Sequence, residues 1–295
     1  MISTLDTTQP VCLAEQKLGE SVLYADRLFS AAPELIGQNI PQLSYLMHND
    51  ISRPVLLKTL TENPAWRSPF FIRVIPQSIK YSIGHTRLFY DELNRTTFPA
   101  TVEEFGYYIN SLILNGNFNL AYKTWLDFLP AASAKTVDNI NNGNFEHIPS
   151  GLPFDWSISS AANVRAQRAS LPENQSKYVL KIEITRSRIN FPNIYQFLHL
   201  SAGRYLIQGR YKGELIGKRG LFWDVSCLQG KKINMSDEII GRFTQWRTFE
   251  FNVDIPDTNC DGQQFSLKHG SRSPSEQLLY GSIWFDDLSA TAIKP

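Results

Sequence analysis

The side chains of this chain that could do chemistry are few and dispersed. Its histidines, His48, His85, His147, His199 and His269, lack metal-ligand spacing and read as surface or singly hydrogen-bonded groups. There is no Gly-x-Ser-x-Gly elbow, no His-Glu-x-x-His and no Gly-x-Gly-x-x-Gly. Gly213-Glu214-Leu215-Ile216-Gly217-Lys218 looks like a phosphate loop. Its glycines, however, stand one residue too close, and Arg219 sits where a hydroxyl should bind magnesium. It reads as a loop between strands. Glu146 with Asp286 and Asp287 forms the strongest metal candidate, because carboxylates are hard oxygen ligands that suit calcium. The alternative is that these are ordinary edge carboxylates. Paired carboxylates for glycoside hydrolysis meet only in space and leave no linear signature.

Aromatic residues reach 12% of the chain. Most must be core, but saccharide recognition also asks for flat ring faces beside polar groups in a groove. Tyr195, Tyr205, Tyr211 and Trp223 are the ring candidates, with Arg210, Gln208 and Asp224 as hydrogen-bonding partners. Trp223 is expected to pack between sheets. Tyr205 and Tyr211 lie six apart on one strand and share a face by the period of two, roughly 20 Å apart. Ile207 lies on that face too, so platform and core both stand as readings of the pair.

These residues need a frame. The chain has 295 residues, enough for two domains, and a formal net charge of +1, which provides no global field for nucleic acid. No stretch is long and apolar enough to span a bilayer. The start, Met1-Ile2-Ser3-Thr4-Leu5, has neither a basic nor an apolar run and is not a secretory signal. The expectation is a cytoplasmic protein, or a periplasmic one whose leader is missing from this chain.

The first 136 residues read as helices. Val22, Leu23, Ala25 and Leu28 share a face from Glu20 onward, and residues 1 to about 18 lack a period. Further helices are expected from Ser52, from Trp66 and from about Ser78 to Leu93. Thr101 and Glu104 form a capping box ahead of Phe105, Tyr108, Ile109 and Leu112. After Asn115-Gly116-Asn117 a second stripe runs from Phe118 to Leu129, and the two helices read as an αα-hairpin. Ala131-Ala132-Ser133-Ala134-Lys135-Thr136 is the natural linker. From there strand signals recur: Trp156–Ser159, Tyr178–Ile184, Ile194–Leu200, Arg204–Tyr211, Leu221–Leu228, Trp246–Val253, Gln263–Lys268 and Ile283–Ala292. Such a series predicts an antiparallel β-sandwich over 137–295.

Two sets of residues carry a family resemblance. Gly116-Asn117-Phe118-Asn119-Leu120-Ala121-Tyr122 is similar to a tetratricopeptide-like interhelix turn. Asn63-Pro64-Ala65-Trp66-Arg67-Ser68-Pro69-Phe70-Phe71 resembles a segment of bacterial helical-repeat proteins encoded near surface-polysaccharide biosynthesis genes, which end in a β-sandwich. Those proteins carry more repeats at the front, so this chain resembles a shortened member. Asn141-Asn142-Gly143-Asn144-Phe145-Glu146 resembles the first strand of jelly-roll carbohydrate-binding modules. Gly281-Ser282-Ile283-Trp284-Phe285-Asp286-Asp287-Leu288 resembles their last strand, which returns beside the first.

The resemblance implies a jelly roll that binds a polysaccharide or oligosaccharide without cleaving it, and a helical region that docks a protein partner. It also implies a structural calcium pinning the chain ends through Glu146 and Asp286. In that frame Cys227 and Cys260 sit close enough to bridge in an oxidising compartment; in a reducing one they are buried thiols. Cys12 stands alone. The rival expectation is a protein–protein scaffold whose sandwich is purely structural.

Overall fold

A computed structural model describes residues 8–130, 134, 137–171 and 173–293, with side chains from Lys17 onward. The chain forms two compact units, Met1–Asn117 and Phe118–Pro295.

The first unit is helical, and among its described residues there is no strand. α1 (Thr8–Ala31) begins well before Glu20, where the apolar period starts. A 3-10 turn over Pro33–Gln38 leads to α2 (Ile40–His48), which was not anticipated. α3 (Ser52–Thr61), α4 (Arg67–Arg73), α5 (Ile75–Tyr81), α6 (Ile83–Leu93) and α7 (Val102–Leu114) follow. The single helix expected from about Ser78 to Leu93 is two. Ser82 turns to extended backbone between them, and its Oγ accepts from the His85 amide to cap α6. The capping box of Thr101 and Glu104 is present in both directions.

Glu104 also holds Arg67, taking Nε at 2.7 Å on one carboxylate oxygen and Nη2 at 2.8 Å on the other. Arg67 donates as well to the carbonyls of Leu60 and Pro99. A guanidinium with only 2% of its side chain exposed is tolerable because its donors are satisfied this way. Around it Trp66, Phe70, Phe71, Phe89, Tyr90, Phe105 and Tyr108 fill the core.

The second unit begins with α8 (Phe118–Phe128) and continues into two five-stranded sheets. The strands are β1 (Ser157–Ile158), β2 (Val164–Leu171), β3 (Asn174–Arg188), β4 (Ile194–Leu198), β5 (Gly203–Gly217), β6 (Leu221–Cys227), β7 (Lys232–Met235), β8 (Gly241–Ile255), β9 (Gln263–His269) and β10 (Leu278–Ala292). The first sheet runs β1-β4-β9-β6-β7, the second β2-β3-β10-β5-β8, and every pairing is antiparallel. This is the expected antiparallel sandwich, preceded by helices.

Alternation sends Ile194, Trp223, Phe265 and Leu267 of the first sheet, and Leu180, Ile182, Ile207, Phe251 and Phe285 of the second, into one core. Trp223 lies at its centre, stacked on Phe265 at 4.5 Å and edge-on to Phe285 at 5.4 Å. Cys227 and Cys260 are joined by a disulfide, Cα to Cα 5.0 Å.

One expectation needs correction. Asn141–Glu146 is not a strand but a turn, with Asn142 and Phe145 both at positive φ. The last strand nonetheless returns beside it: the Leu288 amide donates to the Gly143 carbonyl at 2.9 Å, and a Cβ at Gly143 would lie 1.9 Å from the Leu288 oxygen. Only glycine permits that approach.

The helix-to-strand change falls between α8, which ends at Phe128, and β1 at Ser157, around the expected boundary at Thr136, while the compact units divide earlier, at Asn117/Phe118. Within the second unit Phe118 and Tyr122 both stack on His199, at 6.0 and 4.3 Å, and Tyr122 and Trp125 meet Phe154. The apolar stripe read as half of a helical hairpin is therefore also the stripe that seats α8 on the sandwich. Of the linker, only Ala134 is among the described residues.

Candidate functional site

The outward face of the first sheet is built by four strands in register. Because Ile194, Gln196 and Leu198 point inward from β4, Tyr195 and Phe197 point outward. Tyr195 lies opposite Ser266 of β9, Ser266 opposite Asp224 of β6, and Asp224 opposite Met235 of β7. The neighbouring row is Phe197, Gln264, Ser226 and Lys232. Beside these rows a cavity of about 270 Å³ opens, with Asn193, Tyr195, Gln264, Ser266, Lys268 and His269 in its lining.

The electrostatics of this face centre on Asp224, which is buried although it belongs to the outward row. Its Oδ2 accepts from Lys268 Nζ at 2.9 Å. Its Oδ1 is buried and accepts no hydrogen bond from the protein, an arrangement that costs free energy unless something donates there. His269 donates from Nε2 to the Arg219 carbonyl at 3.3 Å, and burial pushes its pKa below the usual imidazole range. It lines the cavity as a polar wall. At the β4 end, Phe197 meets Phe118 of α8, ring centres 6.5 Å apart.

This face combines an aromatic ring, a lysine, amides and hydroxyls. Such a set can stack on one side of a pyranose and exchange hydrogen bonds with its hydroxyls.

No protein-family model matches the chain, and no curated protein matches it. Solved structures do. The β-rich part resembles carbohydrate-binding modules. One is a family 4 module, 18% identical, TM-score 0.39, covering 52% of this chain and 99% of that one. A second is a family 61 module solved with β-1,4-galactotriose, 18% identical, TM-score 0.37, covering 53% and 99%. A third is a xylan-binding family 22 module from Paenibacillus barcinonensis, 10% identical, TM-score 0.32, covering 48% and 86%.

Of the residues singled out in the sequence, Tyr195 and Asp224 come together on this face. The others do not join them. Tyr205 and Trp223 are core, 8% and 0% exposed, because their strand parity is that of Ile207 and Val225. Tyr211 is half-buried on the same inward side as Tyr205, edge-on to Phe243 at 4.9 Å. Arg210 lies on the outward side of the second sheet. There it pairs with Asp286 at 3.2 Å and with Asp287, and lies over Trp246 at 5.3 Å. Gln208 lines a separate polar cavity of about 840 Å³ with Asn142, Asn144 and Asp287.

The calcium pair is placed as follows. Asp286 gives Oδ2 to Arg210 and Oδ1 to the Asp287 amide. Burial, and then the neighbouring Asp287 charge, push its pKa up. Glu146 Oε1 accepts from the Tyr178 amide at 3.4 Å. No group of three or more His, Cys, Asp or Glu among the described residues could hold a metal. Arg210 supplies the positive charge that Asp286 and Asp287 meet in the structure.

Gln264, Ser266, Lys268 and Asn193 were missed as site residues. A signal existed: in Gln263–His269 the apolar Phe265 and Leu267 fix which alternate positions face out. What was lacking was the neighbour on which those positions open.

Proposed function

We propose that the protein is a non-enzymatic saccharide-binding protein and that the outward face of the first sheet is its binding surface. The carrying observation is the cavity lined by Tyr195, Gln264, Ser266, Lys268 and Asn193, which sets a partly exposed ring beside polar side chains. The tyrosine ring would take a pyranose face, and Gln264, Lys268 and Asn193 in the cavity lining would exchange hydrogen bonds with its hydroxyls. The two outward rows contain one carboxylate, Asp224, already ion-paired to Lys268. A glycosidase needs two, so binding without cleavage is the consistent reading. The disulfide fits a protein that folds in an oxidising compartment. The finer part of the proposal is a role in bacterial surface-polysaccharide production or export, with the helical unit docking a protein partner. A groove of about 890 Å³ in that unit, lined by Tyr24, Leu28, Pro41, Leu43, Tyr45 and Leu46 among others, supports the latter.

A glycan array on the full chain, followed by calorimetry with Tyr195→Ala, tests this reading. Tyr195 is partly exposed, so the variant should keep its melting temperature while affinity falls about tenfold or more. A protein that binds no saccharide, or a Tyr195→Ala variant that binds as well as the parent, would put the structural-scaffold reading ahead.

A further inference from the structure

The outward face of the second sheet carries a different chemistry. Ile283 and Phe285 of β10 are core, so Ser282 and Trp284 between and beside them face out. Trp284 lies opposite Lys181 of β3 on one side and Lys212 of β5 on the other. Glu214 of β5 lies opposite Ser282 and, across the next ladder, opposite Arg242 of β8. A depression of about 670 Å³ opens here, lined by Arg186, Lys212, Glu214, Arg242, Tyr280 and Trp284 among others.

Within those six, three cations face one carboxylate. Arg242 is committed to Glu214 through two hydrogen bonds of 2.7 and 3.2 Å. Lys212 holds Glu173 at 2.8 Å, but this pair is solvent-exposed and so contributes little and exchanges readily. Arg186 lies 5.3 Å over the Tyr280 ring and has no ion pair among the described residues. The surplus charge is thus local to a partly buried indole and a phenol ring.

We propose that this depression binds an acidic saccharide of the uronate class. The pyranose face stacks on Trp284, and the carboxylate is answered by Arg186 and, in exchange for Glu173, by Lys212. A neutral sugar would leave the free guanidinium unused. A long polyanion such as a nucleic acid would meet Glu173, Glu183 and Glu214 on the same face. The site is separate from the one on the first sheet and stands without it.

Calorimetry of the full chain with uronate oligosaccharides (galacturonate, glucuronate and mannuronate trimers) against galactotriose tests it. At least one acidic trimer should bind, more weakly as salt rises. Trp284→Ala should lose about tenfold or more in affinity, and Trp284→Tyr, which keeps a ring, should retain most of it. Arg186→Gln, at an exposed position that does not threaten the fold, should weaken binding and flatten its salt dependence. If no uronate trimer binds, or if Trp284→Ala and Arg186→Gln both bind like the parent, the proposal fails. If Tyr195→Ala abolishes acidic binding and the second-sheet variants do not, the ligand belongs to the first sheet. This proposal then falls while the reading of the first sheet stands.

Discussion

Seating α8 on the sandwich is a contact that can be measured from both sides. Phe118 is 4% exposed and lies directly over Gly262, where an added Cβ would stand 2.6, 2.6 and 2.7 Å from three atoms of its ring. The φ of Gly262 is outside the left-handed region, so a methyl there would cost through sterics alone. Phe118→Ala should destabilise the fragment 118–295 by about 3–5 kcal/mol, as for other buried phenylalanines. Gly262→Ala should cost about 1–3 kcal/mol by overpacking. The decisive number is the double variant. Once the ring is gone the methyl has room, so Phe118→Ala/Gly262→Ala should cost no more than Phe118→Ala alone, a coupling of about 1–3 kcal/mol. Urea unfolding of the fragment, followed by fluorescence and circular dichroism with matching m-values, measures all four corners. Additive losses would mean that α8 does not rest on Gly262, and the division of the chain before Phe118 would lose its main support.

Three further perturbations follow from the same geometry. The disulfide closes a loop of sequence separation 33; Cys227→Ser/Cys260→Ser should cost roughly 3–4 kcal/mol in the chain-entropy model, and a reducing agent should reproduce the loss, whereas unchanged urea midpoints would refute it. His48 stacks on His85 and has its pKa lowered to about 4 by burial, by His85 and by Arg53. The unfolded chain therefore takes up a proton near pH 6.5 that the folded chain refuses until about pH 4. Stability is full above pH 6.5 and falls between those values; melting curves of His48→Gln should be flatter over that window, and an equal slope would refute it. Millimolar calcium should leave the melting temperature unchanged while Arg210 holds Asp286, and should raise it in Arg210→Ala, where the buried carboxylate lacks a cation; a rise in the parent would show calcium displacing Arg210.

The features legible in the sequence are those whose cause is local. The capping box of Thr101 and Glu104 needs only four residues, and it is present as read. Tyr178–Ile184 alternates because both its neighbours lie in one sheet, and Leu180, Ile182 and Ile184 are core. Elements whose cause lies elsewhere were not legible. β2 hides because Arg168 occupies an inward position at the rim of the sheet, donating to the carbonyls of Phe145 and Glu146 and lying 3.3 Å over Tyr178. β7 is a four-residue edge with no clean alternation. The break at Ser82 was obscured because apolar residues continue through it.

The two proposed binding faces show the same division. Tyr195 could be picked out by type, but its meaning comes from Ser266 and Asp224, brought beside it by pairings of β4, β9 and β6 that are distant in sequence. Tyr205 and Tyr211 are the same residue type, but they share the inward parity of Ile207, whereas Tyr195 alternates with the inward Ile194 and Gln196. Parity is decided by which side meets the other sheet, a choice no single strand can announce. α8 adds a constraint on the first sheet. Phe197, two residues from Tyr195 with ring centres 5.2 Å apart, is held against Phe118. The end of β4 beyond Phe197 is thus covered by α8, which borders the proposed binding face there. The helix therefore supports the face that carries Tyr195, and the variants that unseat Phe118 should loosen Tyr195 along with the helix.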